Sequence, residues 1–211
     1  MTDRAIVFID GNNWFHGLCD AAVADRGRLD YSKISQKLLG PRQWSGTRYY
    51  IGQISQKHSP SLYAQQRSFL AGLQNTDARI SVHFGRIEPR TAANDAANEL
   101  TAYLAGLTKP VDLGVLSDLR SIARRHSQAT VFVEKAVDVF VAVDLVTLAI
   151  NDAYDAAYLL SADGDYTPAV DAVRAMSKKV YAASCLNGAQ LAKSVNSFIH
   201  LSPTWFSDCY R

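Results

Sequence analysis

Two kinds of hydrophobic pattern alternate along the chain. Residues 5–9 form an unbroken apolar run, Ala5-Ile6-Val7-Phe8-Ile9, of the kind a strand shows when both its faces are buried. It ends at the turn-forming cluster Asp10-Gly11-Asn12-Asn13, after which Trp14-Phe15 open a helical stretch. A helix over Tyr31–Leu39, stopped by Gly40-Pro41, leads to a strand at Thr47–Ile51. A helix from Pro60 to about Leu73 and a strand over Ile80–Ile87 follow. Residues 91–129 break this rhythm. Helical spacing of Ala96, Leu100, Tyr103 and Leu107, the breaker Lys109-Pro110 and a basic helix over Ser117–His126 read as a helical insertion. Alternation then resumes with strands at Val131–Val133, Ala156–Ser161 and Lys179–Ala183. Helices are expected at Ala136–Ile150, Pro168–Met176 and Gly188–Val195, with a last short strand at Phe198-Ile199. Strands alternating with helices of this length imply right-handed crossovers and a mostly parallel sheet covered on both faces. The expectation is one α/β domain over 1–211, interrupted by the insertion at 91–129.

Composition changes this picture little. With 48% hydrophobic and 20% charged residues the chain can bury a sizeable core, and a net charge of +2 supplies no broad basic surface for nucleic acid. Any such binding must rest on local patches or a metal. The three cysteines, Cys19, Cys185 and Cys209, lack CxxC spacing, and the histidines lack HxxxH spacing, which argues against a disulfide framework and a structural zinc site. No signal peptide or membrane-length apolar run is visible, so a cytoplasmic protein with no membrane partner is expected.

The acids change it more. In open parallel sheets, ligands sit beyond the carboxyl ends of the strands. Asp10 directly follows the first strand, and Asp163 and Asp165 directly follow the strand at 156–161. Either cluster alone reads equally well as an Asx turn or a helix cap. Two of them at neighbouring strand ends are carboxylates that repel unless a cation or proton lies between them. Asp138 falls in the first turn of a helix that is apolar almost all round, and so is expected to be buried all round. There it either serves the helix dipole or points into the same crevice. Asp144 sits about 240° round and about 9 Å further along, by helix geometry, so it is expected to brace a neighbouring loop.

A set of carboxylate oxygens suits Mg²⁺ or Mn²⁺ better than zinc, and such ions serve phosphoryl transfer. Nothing points to acyl transfer, since there is no GxSxG. A haloacid-dehalogenase-type phosphatase would carry a second acid two residues after the first, where this chain has Asn12. A redox enzyme built on the same scaffold is not excluded by fold alone.

Three segments, Phe8-Ile9-Asp10-Gly11-Asn12-Asn13, Lys135-Ala136-Val137-Asp138-Val139 with Asp144 trailing, and Leu160-Ser161-Ala162-Asp163-Gly164-Asp165-Tyr166, resemble in order and spacing the NYN domain of the PIN-like nuclease superfamily. The resemblance implies a PIN-like three-layer α/β/α sandwich with a central mostly parallel sheet. It also implies a metal-dependent ribonuclease acting on single-stranded RNA, with Asp10, Asp138, Asp163 and Asp165 as catalytic residues and ligands of Mg²⁺ or Mn²⁺. Asn12, Asn13, Lys135, Asp144 and Ser161 would support them. Arg120, Arg124 and Arg125 in the insertion would track a nucleic-acid backbone if they are not simply a solvated face. Ala162, Gly164 and Tyr166 stand where the family more often has Gly, Ser and Phe. The alternative to an enzyme is a binding module for RNA or protein on the same fold, and a homodimer is a further expectation, with the apolar stretch 139–150 reading equally well as core or interface.

Overall fold

A computed structural model describes residues 2–57 and 59–211. The chain divides into two compact units, one formed by residues 1–86 and 135–211 and the other by 87–134. In the larger unit, strands β1 (Arg4–Asp10), β2 (Gln43–Gln53), β3 (from Ile80), β5 (Ala156–Leu160), β6 (Lys179–Ser184) and β7 (Ser197–His200) pair side by side in the order β3-β2-β1-β5-β6-β7. Every pairing among these six is parallel. Order reverses between β1 and β5, so the switch-point crevice opens where Asp10 and residues 161–165 leave the sheet.

β1 is buried from Ala5 onward and β5 throughout, as their continuous apolar runs require. Odd residues of β1 (Ala5, Val7, Ile9) face the core built with α1 (Gly11–Asp20), α2 (Tyr31–Leu39) and α3 (Pro60–Thr76). Ile6 and Phe8 face the core built with α6 (Val137–Ile150) and α7 (Thr167–Ala175). The result is a three-layer α/β/α arrangement. Helix ends follow local chemistry: Asp30 Oδ1 accepts from the Ser32 and Lys33 amides to start α2, and Gly40 at φ +58° ends it.

The smaller unit holds the far end of β3, which runs to Ala93, then α4 (Asp95–Ala105), α5 (Leu113–His126) and β4 (Gln128–Lys135) up to Glu134. It is therefore not purely helical, because β3 runs on to Ala93 beyond the expected end at Ile87 and β4 starts at Gln128, before the expected Val131.

Two other expectations fail for physical reasons. Helix α6 is not buried all round: Val137, Val141, Leu145 and Ala149 enter the core, while Val139 (61%) and Ile150 (65%) stay exposed, with Phe140 and Val143 also on the open side. An apolar pattern without a polar stripe cannot reveal which side is covered. Residues 188–195 form no α-helix, only a short 3₁₀ turn at Leu191–Lys193. The segment packs closely against the crevice loop and against β7. A Cβ on Gly188 would lie 2.4 Å from the Phe198 ring and 3.2 Å from Ala162 Cα, and one on Gly164 would lie 2.7 Å from the Gln190 side chain.

Candidate active site

Asp10 closes β1 and caps α1, its Oδ1 accepting from the Asn13 amide at 3.1 Å. The next residue has to be glycine. A Cβ on Gly11 would stand 2.6 Å from the Tyr50 carbonyl oxygen and 2.7 Å from the Tyr49 ring. The other oxygen, Asp10 Oδ2, accepts from Tyr166 Oη at 3.0 Å and Ser161 Oγ at 3.3 Å. Only 3% of Asp10 is exposed. That burial pushes its carboxyl above the usual range, the nearby Asp138 charge adds to the rise, and donors from Asn13, Tyr166 and Ser161 offset part of it.

Asp138, in the first turn of α6, reaches the same hydroxyl: Tyr166 Oη lies 3.2 Å from Asp138 Oδ1. One phenol carries one proton, so it fully serves only one carboxylate at a time. Burial and both carboxylates push the Tyr166 phenol far up, so it stays a donor. The ring of Tyr166 is buried among the α6 and α7 core residues. Two carboxylates around one donor hydroxyl, at the carboxyl end of a parallel sheet, leave a negative charge to be balanced. An all-oxygen set of this kind fits Mg²⁺ or Mn²⁺.

Asp163 and Asp165 frame the turn that delivers Tyr166. Asp163 donates its amide to Ser161 Oγ (3.1 Å), and its Oδ1 accepts from the Asp165 amide (2.9 Å), capping the 3₁₀ turn at Gly164–Tyr166. Asp163 thus joins Asp10 through Ser161, while Asp165 is exposed. Among the described residues no group of three or more His, Cys, Asp or Glu side chains is placed to hold a metal ion. The structure gathers Asp10 and Asp138 directly, Asp163 by relay, and Asp165 not at all.

The supporting residues divide as well. Asn13 Oδ1 accepts from the Ala162 amide at 3.0 Å, tying α1 to the crevice loop, while Asn12 is exposed in the first turn of α1. Half-buried Lys135 ends β4, followed by Ala136 in the left-handed region at φ +71°. Asp144 braces strand β2 instead of a loop. Its Oδ2 accepts from Arg48 Nη2 (2.7 Å), Arg48 Nε (3.2 Å) and Tyr50 Oη (2.8 Å). Tyr50 stands directly across from Asp10 in the β1–β2 register and stacks on His83 at 4.9 Å. The sequence did not point to Arg48, nor to Tyr50 as a partner of Asp144. The signal was an arginine inside a strand and an aspartate inside an apolar helix, each in need of a partner. In the smaller unit, Arg120, Arg124 and Arg125 share one face of α5, lining a groove of about 380 Å³ with Leu113 and Leu116.

The NYN domain model matches residues 4–202. The chain belongs to the NYN domain family. The family is nuclease-related and implies a PIN-like nuclease fold. Among solved structures, a protein of unknown function, VPA0982 from Vibrio parahaemolyticus RIMD 2210633, is similar in fold. It shares 17% identity over 95% of this chain and 94% of its own, with a TM-score of 0.56. No curated protein matches. Among the described residues no helix of this NYN domain is long and apolar enough to cross a membrane.

Proposed function

We propose that this NYN domain is a ribonuclease that hydrolyses phosphodiester bonds of single-stranded RNA at the crevice between β1 and β5. The observation that carries the reading is the convergence of Asp10 and Asp138 on the one Tyr166 hydroxyl, in a chain of a nuclease-related family. Asp10 and Asp138 would hold Mg²⁺ or Mn²⁺, with Asp163 and Asp165 entering through water. An ion bound there polarises a phosphate oxygen and lowers the pKa of a bound water. The chain's own residues prepare the place for it. Ser161 and Asn13 fix the orientation of Asp10 from two sides, and the Arg48–Asp144 pair anchors α6 to β2 so that Asp138 is presented at the right height. Arg120, Arg124 and Arg125 in the smaller unit would contact a nucleic-acid backbone there.

The test is cleavage of a labelled single-stranded RNA with Mn²⁺ and with EDTA. The wild type cuts with Mn²⁺ only, and Asp10→Asn and Asp138→Asn lose at least about a hundredfold in rate, the scale expected when charge stabilisation is removed from the reacting phosphate. Equal rates for wild type and Asp10→Asn would refute the assignment. One observation favours a second reading, a module that binds RNA without cutting it: Asp163 is spent on capping and Asp165 faces solvent. Metal-independent RNA binding without turnover would decide for that reading.

A further inference from the structure

On the face of the sheet opposite Tyr166 lies a cleft of about 350 Å³ between α1 and α3, over the end of β2. Its floor is a triad of rings, Tyr31, Tyr49 and Phe69, packed edge to face with centroids 5.6–6.0 Å apart. Phe15 (52% exposed) and Leu62 form walls, and Arg26 and Gln65 bring a guanidinium and an amide into the lining. The floor carries no charge. Burial lifts the Tyr31 phenol to about 12, so it stays neutral.

From this arrangement we propose that the cleft is a nucleobase subsite, which takes one base of the strand whose phosphate lies at Asp10. The proposal rests on the nucleic-acid reading above. Three features select this occupant. The lining is aromatic and aliphatic, as a flat uncharged ring requires, and it has no buried cation that would draw a phosphate inside. Of Arg26, Gln65 and Gln66 in the lining, Gln66 is engaged by the Ile54 amide and the Gly52 carbonyl, and Arg26 and Gln65 suit a base edge or the sugar-phosphate leading to it. The cleft also lies close to Asp10, since Tyr49 in its floor is the β2 partner of Ile9. Tyr49 and Tyr50 are neighbours on β2 with rings on opposite faces, one in the floor and one in the α6-side core that adjoins Asp10. Gly11, which directly follows Asp10, lets the Tyr49 ring close up against the backbone. Phe15 lies five residues after Asp10, roughly 7 Å along α1, so a base can enter while its neighbouring phosphate stays at the acids.

The experiment compares binding of hexauridylate with binding of an abasic hexamer of the same backbone, in EDTA, to wild type, Phe15→Ala and Leu62→Ala. The exposed positions make both variants tolerable to the fold, which thermal melting checks. Expected is tighter binding of the base-bearing strand by the wild type. Phe15→Ala lowers that affinity about tenfold, the scale of one lost base stack, and leaves abasic binding unchanged; Leu62→Ala lowers it less. Adenosine 5′-monophosphate also shifts the indole N–H signal of Trp14, which donates to the Tyr31 hydroxyl at 3.3 Å. Equal binding of the two strands, or equal weakening of both by Phe15→Ala, overturns the subsite. Mn²⁺-dependent cleavage by the same preparations separates the two ideas. RNA that is cut without base-dependent loss in Phe15→Ala overturns the subsite alone, whereas RNA neither bound nor cut overturns the ribonuclease reading and the subsite with it.

Discussion

Replacing Asp144 by alanine removes one carboxylate oxygen that accepts three hydrogen bonds, two from Arg48 and one from Tyr50. In a fully buried site, losing such a charge-assisted set costs about 3–5 kcal/mol, because the guanidinium is left without its counter-charge. Here the Arg48 and Asp144 side chains are 27% and 29% exposed, so water replaces part of what is lost. The expected cost is then about 1.5–3 kcal/mol. For a chain of this length each kcal/mol moves the melting point by about 2–4 °C, so Asp144→Ala should melt roughly 4–10 °C lower. Urea titration of wild type, Asp144→Ala, Arg48→Met and the double variant gives the coupling directly. If the pair acts as the geometry indicates, the interaction energy is about 1–2 kcal/mol. Asp144→Asn, which keeps an acceptor for Tyr50, should recover part of the loss. A cost below about 0.5 kcal/mol, or strictly additive single variants, would show that the pair does not brace α6 against β2.

Asp10→Asn should stabilise the metal-free protein at neutral pH. A carboxyl whose folded pKa is raised above its unfolded value of about 4 withdraws stability as pH climbs from that value through the folded one. The gain from Asn should therefore shrink as pH falls toward 4, and a gain independent of pH in thermal melts with EDTA would contradict the cause assigned to the shift. Tyr166→Phe removes the donor that Asp10 and Asp138 share. It should lower metal-free stability by about 1–2 kcal/mol and enlarge the rise in melting temperature caused by added Mn²⁺. An unchanged Mn²⁺ effect would separate the hydroxyl from the metal place.

What the sequence reveals depends on whether a residue's role is set by its own element or by another. Asp10 and Asp163 are legible because a strand buried on both faces is apolar until it ends, and in this topology its end is the crevice. Arg48 and Asp144 are each visible as misfits, one in a strand and one in an apolar helix. Their pairing is not, since it depends on how α6 lies over β2. The open side of α6 is hidden for a related reason: Val139 and Val141 are chemically alike, and only the neighbours distinguish them. At 188–195, where a 3₁₀ turn replaces the expected helix, Gly188 packs against Ala162 and the Phe198 ring, 26 and 10 residues away, which a local pattern does not display. Asp165 was grouped with Asp163 by adjacency. The 3₁₀ turn instead delivers Tyr166 inward and leaves Asp165 in solvent.

Tyr166 changes what the acidic motif is for. In a loop whose acids all served as ligands, Asp163 would face Asp10. Here Asp163 spends an oxygen on the turn, and the turn aims a phenol at the two carboxylates that do converge. The hydroxyl sits between buried Asp10 and solvent-exposed Asp138, so the charge gathered there is open to water on the Asp138 side. Asn13 and Ser161 restrain Asp10 from α1 and from the loop after β5, and Arg48 restrains α6 through Asp144. None of these restraints neutralises the pair. Stability alone gives no reason to aim a buried phenol at two carboxylates, and that convergence is the physical argument behind the metal proposed at Asp10 and Asp138.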